Sequence, residues 1–450
     1  MTTPDAPSAP ASPPSISWRE SLTVYLQPRV LIVMLLGFSS GLPLALSGST
    51  LRFWLRESHI DLETIGLFAL VGTPYTIKFL WAPLVDALNV PFLSKALGRR
   101  RGWLILSQFL LVAAIFLLGF CNPGTTPWYV PFGAALLVAT ASATQDIVVD
   151  AFRIESLPKD EQAAGMASYV AAYRISTLVS TAGALYLIDT IENSGLARGD
   201  AWKFGYAAMA ALIVIGIVTA LFAAEPDQSR MVAEKSTGHP LQRVLATTKA
   251  AFLDFLTLDA AVVLLLFVIL FKFTDAFAGI MTEAFVIDIG FSKVDYAAIV
   301  KVVGLVATLA GGFAGGFVAR RYSLVTSLWI GGVLQAVANL SFSWLALLGA
   351  NKWGLALAIT AENFTSAIGT VIFVAYLSAL CRNPLHTATQ YALLTALAAV
   401  GRTYLSAGAG YVAKATGWPL FFVICMLVAI PSLLLLAWLQ RRGHFEALDR

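Results

Sequence analysis

The chain has 450 residues, of which 58% are hydrophobic and only 12% are charged, and its formal net charge is +4. Soluble proteins have about 25% charged residues, so this composition excludes an ordinary soluble domain and indicates a protein embedded in lipid. The apolar residues occur in long uninterrupted runs, which favour membrane-spanning helices over the short alternating strands of a β-barrel.

The N-terminal residues 1–17 are rich in Pro, Ser and Ala, a composition typical of a disordered tail. No basic segment precedes a short apolar stretch there, so we expect no removable signal peptide. The first hydrophobic span is then expected to stay in the protein.

The apolar stretches that follow are long enough to cross a hydrocarbon layer about 30 Å thick. They predict twelve spans, at 30–54, 62–86, 103–122, 129–152, 164–189, 203–223, 258–286, 294–319, 323–349, 353–381, 386–414 and 418–440. A polar connection at 224–257 separates a six-helix half, 18–223, from a second half, 258–440, and 441–450 forms a tail. More Lys and Arg residues fall on the face that holds both termini, which predicts that both termini are cytoplasmic.

The two halves resemble each other in where they place charged residues. Lys78 in the second span corresponds to Lys301 in the eighth, and Arg174 in the fifth corresponds to Arg402 in the eleventh. Parallel repeats of six helices are the architecture of major facilitator transporters. We therefore predict an all-α membrane protein of this fold, with two pseudo-symmetric halves and a substrate site between them.

Charged residues inside the predicted spans are too numerous for a protein without a polar interior. A charge at the bilayer centre costs about 2.5–3.5 kcal/mol on insertion scales, so these residues indicate a water-accessible cavity. They are Lys78, Asp146, Asp150, Arg174, Lys272, Asp275, Glu283, Lys301, Glu362 and Arg402. The three cysteines and four histidines match no metal-binding motif, so we expect no cofactor, with the proton as coupling ion.

Asp146 and Asp150 lie four residues apart in the fourth span and share one helix face. Arg174, next to Tyr173 in the fifth span, is expected to meet Asp146, since a short loop joins the two spans. A carboxylate beside a cation can pair in one state and carry a proton in another, so Asp146 and Asp150 are candidates for proton coupling. The alternatives are a static ion pair for Asp146 and a loop anchor for Asp150.

Polar residues of the second half suit a substrate with charged and hydrogen-bonding groups. Lys272 and Asp275 are spaced to neutralise each other or to bind substrate, and Glu283 is expected to be merely solvated near a span end. The candidate substrate ligands are Lys78, Gln145, Tyr173, Arg174, Lys272, Asp275, Glu362, Asn363, Gln390 and Arg402. For Asn363 and Gln390 interhelical hydrogen bonding is the alternative, whereas the Arg402 guanidinium suits a carboxylate.

Several stretches resemble the AmpG family of muropeptide permeases, in order along nearly the whole membrane portion. They are GFSSGLPLALSGSTLRFWL (37–55), IDLETIGLFALVGTPYTIKFLWAPLVD (60–86), RRRGWLILSQ (99–108), SATQDIVVDAFRIESLP (142–158), FKFTDAFA (271–278) and TATQYALLTALAAVGRTY (387–404). The family motif includes Gln145, Asp146 and Asp150. The sequence also resembles the gating loop motif of the superfamily, at Asp86, Gly98, Arg99, Arg100 and Arg101.

The resemblance implies a proton-coupled transporter that imports anhydro-muropeptides, GlcNAc-1,6-anhydroMurNAc with or without peptide, from periplasm to cytoplasm for cell-wall recycling. It also implies the inner membrane of a Gram-negative bacterium and a link to β-lactamase induction. Some family members carry two further hydrophobic segments at the C-terminus, and we expect transport not to need them.

Other functions remain open at this point. The alternative within transport is a carrier of another anionic metabolite, a sugar phosphate or an acyl-CoA, because related acetyl-CoA transporters share part of the pattern. A non-transporting muropeptide sensor is a further alternative. An enzyme would need a nucleophile–base set or a metal cluster, which the sequence does not offer, so we expect no enzyme. We expect a monomer in the lipid bilayer, without a nucleic-acid partner.

Overall fold

The computed structural model describes residues 23–81, 85, 88–158, 161–226, 261–380 and 387–448. All elements within these residues are helical, and they form twelve segments that we label α1 to α12. In the first half the segments are α1 (Pro28–Leu46 and Ser49–Glu57), α2 (Leu62–Leu67, Phe68–Gly72, Thr73–Ile77 and Lys78–Leu80), α3 (Arg99–Phe120), α4 (Tyr129–Ser156), α5 (Gln162–Leu178, Val179–Gly183 and Ala184–Asn193) and α6 (Arg198–Phe222). In the second half they are α7 (Ala261–Gly279 and Thr282–Ile289), α8 (Lys293–Asp295, Tyr296–Val303 and Gly304–Arg321), α9 (Leu324–Leu348), α10 (Lys352–Leu380), α11 (Thr387–Tyr404, Leu405–Gly408 and Ala409–Thr416) and α12 (Trp418–Leu427 and Ala429–Arg441). Three short helices, Val24–Leu26, Leu93–Leu97 and His444–Leu448, lie outside the spans.

These segments confirm the predicted twelve-helix fold. Nine of them, within the residues described above, are long and apolar enough to cross a membrane on their own. The other three are α2, α5 and α11, which contain 3₁₀ or π turns. In α2 the α-helix gives way to 3₁₀ turns on both sides of Thr73–Ile77, near Gly72 and Pro74. Interrupted helices are tolerated in a membrane where neighbouring helices or a polar cavity satisfy the freed backbone groups.

The first segment of each half, α1 or α7, is interrupted at an equivalent place. The first helix of α1, Pro28–Leu46, and the first helix of α7, Ala261–Gly279, are both 19 residues long. Each is followed by a two-residue break, after which the helix resumes at Ser49 or Thr282. The breaks therefore fall at equivalent places in the two halves, as expected of parallel repeats.

The two halves meet at the end of the molecule that lies away from the chain termini. The end of α1 lies against the end of α7, α5 lies against the start of α8, and α2 lies against α11. One apolar cluster there includes residues of both halves, and the rings of Phe53 and Tyr296 lie 4.9 Å apart across it. We call this end the closed end.

Two predicted parts of the chain fall outside this description. The predicted tail at 1–17 and residues 227–257 of the predicted linker lie outside the described residues, so the predicted domain bounds stay predictions. At the other end of the molecule, Arg29 at the start of α1 lies with Pro226, just after α6, around one pocket. Both ends of the first half are therefore on the same face of the protein.

Candidate functional site

Two glycines bring α1 against α5 and so position the first half of the site. A Cβ atom at Gly37 would lie 2.6 Å from the Tyr169 carbonyl oxygen, and one at Gly41 would lie 2.0 Å from Ser176 Oγ. Small residues four apart allow helix backbones to approach closely in membranes. Tyr169 and Tyr173 of α5 are held at this contact, with their ring centroids 6.2 Å apart.

Asp146 of α4 interacts with polar side chains of α1, α2 and α5. Its carboxylate interacts with the Ser40 hydroxyl, and Lys78 and Asp150 are the charged side chains that act on it. Oδ1 of Asp146 is buried without a hydrogen-bond partner among the described residues. A carboxylate with one unoccupied oxygen and a nearby cation has the features expected of a group that gains and loses a proton.

Three tyrosines of the first half are close enough to Asp146 to interact electrostatically with its carboxylate. They are Tyr75 of α2 and Tyr169 and Tyr173 of α5. Within the described part of the chain, the buried Tyr75 hydroxyl has no hydrogen-bond partner. The sequence pointed to Tyr173 but not to the other two, because a Tyr in an apolar span carries no distinguishing pattern.

The other predicted residues of α4 are placed differently. Gln145 is fully buried, and its Nε2 lies 3.4 Å from Ser39 Oγ and 3.3 Å from Ser40 Oγ, so its amide faces α1. The Asp150 side chain is 48% exposed and lies 3.7 Å from Arg153 one turn later. Asp150 thus has access to water, whereas Gln145 connects two helices in this conformation.

The expected meeting of Arg174 with Asp146 does not occur. The cation that acts on Asp146 is Lys78. Arg174 is exposed and forms no ion pair within the described part of the chain. Arg174 and Arg402, from opposite halves, instead both act electrostatically on Tyr173. Arg402 is also exposed and has no ion pair among the residues the structure describes. Two unpaired guanidinium groups near one tyrosine are suited to carboxylates of a bound solute.

In the second half, Lys272 and Asp275 form the ion pair that their spacing predicts. The Nζ–Oδ2 distance is 2.6 Å, and Lys272 also donates to Thr370 Oγ1 at 3.0 Å. Ser366 of α10 donates to the same Asp275 oxygen at 2.8 Å. The pair is mostly buried and joins α7 to α10, so a structural role accounts for these contacts.

Glu362 and Asn363 are adjacent in α10 but have different surroundings. Glu362 is partly exposed, and the charges that act on it come from Asp275, Lys272 and Lys301. Asn363 Nδ2 donates to Glu362 at 2.7 Å, and its Oδ1 accepts from Thr308 of α8 at 3.2 Å. The Asn363 amide therefore makes the interhelical hydrogen bond that was the alternative to substrate binding. The side chain of Gln390 lies outside the described residues.

The expectation that Glu283 is merely solvated is wrong. Glu283 is 3% exposed, and Arg52 of α1 donates to both of its oxygens, at 3.3 and 3.2 Å. The sequence placed Glu283 near a span end, where solvation is usual, and could not reveal that the opposite half covers it.

Arg52–Glu283 is one of several ion pairs that join the halves at the closed end. Within the described ranges, every ion pair between the halves lies at this end. Besides Arg52–Glu283 they are Arg56–Asp288, Lys293–Glu57, Lys293–Glu192 and Lys414–Glu63. These pairs were not predicted. Their signal in the sequence was the presence of charges near the ends of the first, second, fifth, seventh, eighth and eleventh predicted spans.

The predicted gating loop holds the first half together. Glu225, just after α6, accepts from the backbone N–H groups of Arg100 and Arg101 at 2.8 and 3.1 Å, at the N-terminus of α3. The Arg100 side chain pairs with Glu155 at the end of α4. Gly98 has φ +95°, and a Cβ there would lie 2.3 Å from Glu225 Cδ. Arg99 begins α3, and Asp86 lies outside the described residues.

A helical membrane fold in two repeated halves, with charged side chains from both at their interface, is the architecture of major facilitator transporters. Residues 33–404 match the model of the Major Facilitator Superfamily. Within the described ranges, no group of His, Cys, Asp or Glu could hold a metal ion. The protein is a multi-pass membrane transporter of a small-molecule substrate.

Comparison with known proteins shows to which family of transporters the chain belongs. The chain is 40% identical over 416 residues to the anhydromuropeptide permease of Escherichia coli K12, covering 92% of this chain and 80% of the relative. It is 35% identical over 421 residues to the putative transporter AmpG 4 of Rickettsia conorii, covering 93% and 98%. The chain therefore belongs to the AmpG family of the Major Facilitator Superfamily.

Solved structures support the fold alone. A D-xylose–proton symporter matches with a TM-score of 0.65 at 12% identity, over 92% of this chain and 97% of the other. The nucleoside transporter NupG matches with a TM-score of 0.66 at 15% identity, over 94% and 100%.

Proposed function

We propose that the protein imports anhydro-muropeptides by alternating access, together with protons. The observation that carries this proposal is the 40% identity, along 92% of the chain, to a relative named anhydromuropeptide permease. With the termini in the cytoplasm, as the distribution of Lys and Arg predicts, the closed end faces the periplasm. The protein would then act as a monomer in the inner membrane of a Gram-negative bacterium and return cell-wall fragments that also serve in β-lactamase induction.

The chemistry of the cargo agrees with the charges between the halves. A muropeptide has carboxylates on its peptide stem and, where the stem contains a diamino acid, an ammonium group. Arg174 and Arg402 are exposed, come from opposite halves and are suited to bidentate carboxylate binding. Glu362 is the proposed ligand of an ammonium, since its carboxylate is partly exposed.

Asp146 is the proposed proton carrier of the first half. Its unpartnered Oδ1 and its proximity to Lys78 support this role. Binding of a proton would cancel the attraction between Asp146 and Lys78, and release of the proton would restore it. Asp150, which is half-exposed one helical turn closer to the open face, is placed to pass protons between Asp146 and water.

The test is uptake into liposomes containing the purified protein. A proton gradient directed into the liposomes, with the outside more acidic, should drive accumulation of labelled GlcNAc-1,6-anhydroMurNAc-peptide, and a protonophore should abolish the accumulation. Arg174→Gln and Arg402→Gln should weaken uptake of the peptide-bearing form more than that of the disaccharide, whereas Lys352→Gln, at an exposed pair with Asp295, should leave both unchanged. Absence of muropeptide uptake by folded protein would refute the proposal.

The same two arginines also support a second candidate. Paired guanidinium groups bind phosphates as well as carboxylates, so a sugar phosphate or an acyl-CoA is the alternative cargo. Competition distinguishes the two: unlabelled sugar phosphate or acyl-CoA should leave muropeptide uptake unchanged. Uptake of labelled sugar phosphate or acyl-CoA that excess unlabelled muropeptide leaves unchanged would favour the alternative.

A further inference from the structure

The helices α2 and α11, one from each half, lie against each other at the closed end with their backbones in contact. A Cβ added at Gly66 of α2 would lie 2.7 Å from the Ala407 carbonyl oxygen and 3.0 Å from the Gly410 backbone nitrogen, both in α11. A Cβ added at Gly410 would lie 1.8 Å from the Leu62 carbonyl oxygen of α2. The two glycines therefore allow the backbone of one half to touch the backbone of the other.

Further contacts continue this line in both directions along the two helices. Nearer the surface, Lys414 Nζ lies 2.7 Å from Glu63 Oε1, and the lysine side chain is 62% exposed. Deeper in the protein, the buried hydroxyl groups of Thr76 and Thr403 share a hydrogen bond at 3.2 Å. We call the line of contacts from Glu63–Lys414 to Thr76–Thr403 the α2–α11 seam. Its inner end lies next to Arg402, the residue before Thr403.

The glycine contacts of the seam differ from the ion pairs at the same end of the molecule. Arg52, for example, reaches Glu283 through a long side chain, and a side chain can adopt another rotamer when a neighbour intrudes. A carbonyl group within a helix moves only with its helix. An added methyl group at Gly66 or Gly410 can therefore be accommodated only if α2 and α11 move apart.

Such a separation leaves the packing within each half in place, because α2 and α11 belong to different halves. The close contacts of α1 with α5 at Gly37 and Gly41, for instance, do not involve α11. Overpacking of a close contact typically shifts an equilibrium by about 5- to 150-fold. A methyl group in the seam should therefore disfavour the conformation with this end closed by such a factor, without a clash in the conformation with this end open.

We propose that Gly66 and Gly410 set the balance between the two conformations of the transporter, because a side chain at either position displaces the protein towards the conformation in which the closed end is open. The ion pairs between the halves stabilise the closed conformation, but the glycines determine whether the halves approach closely enough for those pairs to form. The proposal rests on alternating access, which is part of the proposed function, and not on the identity of the cargo or of the coupling ion.

The experiment measures opening at a position away from the seam. Ala297 of α8 is 6% exposed and lies about one helical turn after Lys293, whose side chain contacts the first half. With the three native cysteines replaced, the Ala297→Cys protein is labelled with a maleimide in nanodiscs that contain no muropeptide. Gly410→Ala should raise the labelling rate about 5-fold or more, since labelling follows the population of the open conformation. Gly66→Ala should raise it less, because its Cβ would meet the opposite backbone at 2.7 Å and not at 1.8 Å.

Gly408→Ala is the matched control. Gly408 lies two residues before Gly410 in α11, and nothing lies within 4 Å of its added Cβ, so this variant should be labelled at the parent rate. Gel filtration establishes that each variant is folded, and if Gly410→Ala is not, the milder Gly66→Ala decides the outcome.

The parent labelling rate in a folded seam variant, or an equal rise in Gly408→Ala, would overturn the proposal. A parent protein that takes up no muropeptide would instead count against the proposed function, and the comparison of labelling rates would keep its meaning.

Discussion

Lys293 Nζ, at the start of α8, lies 2.7 Å from Glu57 Oε1, at the end of α1. The same ammonium also pairs with Glu192 at the end of α5. Its side chain is only 5% exposed. One buried cation from the second half therefore pairs with two carboxylates of the first, which makes it a principal connection of the closed end.

Replacing Lys293 by Met should destabilise the closed state strongly. The change leaves Glu57 and Glu192 as neighbouring like charges with little access to water, and loss of one partner from a buried pair costs about 3–5 kcal/mol. Lys352→Met is the matched control, because Lys352 pairs with Asp295 at 2.6 Å but is 68% exposed, and exposed pairs contribute about 0–1 kcal/mol. Thermal unfolding in detergent should show a clearly lower Tm for the first variant alone. Equal Tm values for the two variants would contradict the role of Lys293.

Gly41→Ala should destabilise the protein by about 1–3 kcal/mol, the usual cost of overpacking. The added Cβ would meet Ser176 Oγ at 2.0 Å and the Tyr173 carbonyl oxygen at 2.5 Å, so α5 would have to move away from α1. Gly133→Ala in α4 is the control, because nothing lies within 4 Å of its added Cβ. That change should be neutral or stabilising by up to about 1 kcal/mol, as for a helical Gly replaced by Ala. The Tm and the yield of folded protein should be measured for both variants. If Gly41→Ala changes neither quantity, the close contact between α1 and α5 is ruled out.

Asp146→Asn should abolish proton-driven accumulation while leaving exchange of substrate across the membrane. An amide cannot take up a proton but keeps the size and most hydrogen bonds of the side chain. Asp150→Asn should slow accumulation without abolishing it, because Asp150 is half-exposed and its ion pair among the described residues is the 3.7 Å contact with Arg153. Counterflow and gradient-driven uptake should be measured on the same liposomes. Normal accumulation by Asp146→Asn would show that the proton binds elsewhere.

Lys272→Met should be more harmful than Lys272→Met combined with Asp275→Asn. The single change leaves a mostly buried carboxylate with Ser366 as its remaining described partner, whereas the double change removes both charges. Residues in direct contact typically show coupling energies of about 0.5–3 kcal/mol. A double-mutant cycle on thermal stability measures this coupling. If uptake recovers together with stability in the double variant, the pair is structural; if stability recovers and uptake does not, Lys272 or Asp275 contacts the substrate.

The sequence predicted the spans well where the helix is continuous. The span predicted at 323–349 is Leu324–Leu348, and that at 353–381 is Lys352–Leu380, because uninterrupted apolar runs directly reflect the thickness of the bilayer. It did not predict the interruptions in α2. The first 3₁₀ segment begins at Phe68, two residues after Gly66, where a Cβ would meet the Ala407 carbonyl oxygen of α11 at 2.7 Å; a contact between halves of this kind has no local sequence signal.

The site was predictable only where its contacts are local. Lys272 and Asp275 are three residues apart, so helical spacing alone predicts their pair. Arg52 and Glu283 are 231 residues apart, and their contact depends on how the halves dock in this conformation. The Asp146–Arg174 expectation failed for the same reason: the cation that acts on Asp146 is Lys78 of α2, a helix distant in sequence from α4 and α5.

Two indole rings beside Lys293 give the molecule an intrinsic optical reporter. Trp54 and Trp202 are stacked with their centroids 5.0 Å apart, Trp202 Nε1 donates to Glu57 at 2.8 Å, and Lys293 Nζ lies 5.9 Å from the Trp202 ring. Separation of the halves withdraws that ammonium and admits water to the stack. Tryptophan emission from this pair would therefore shift as the protein changes conformation, and the motion could be followed in real time without attaching any dye.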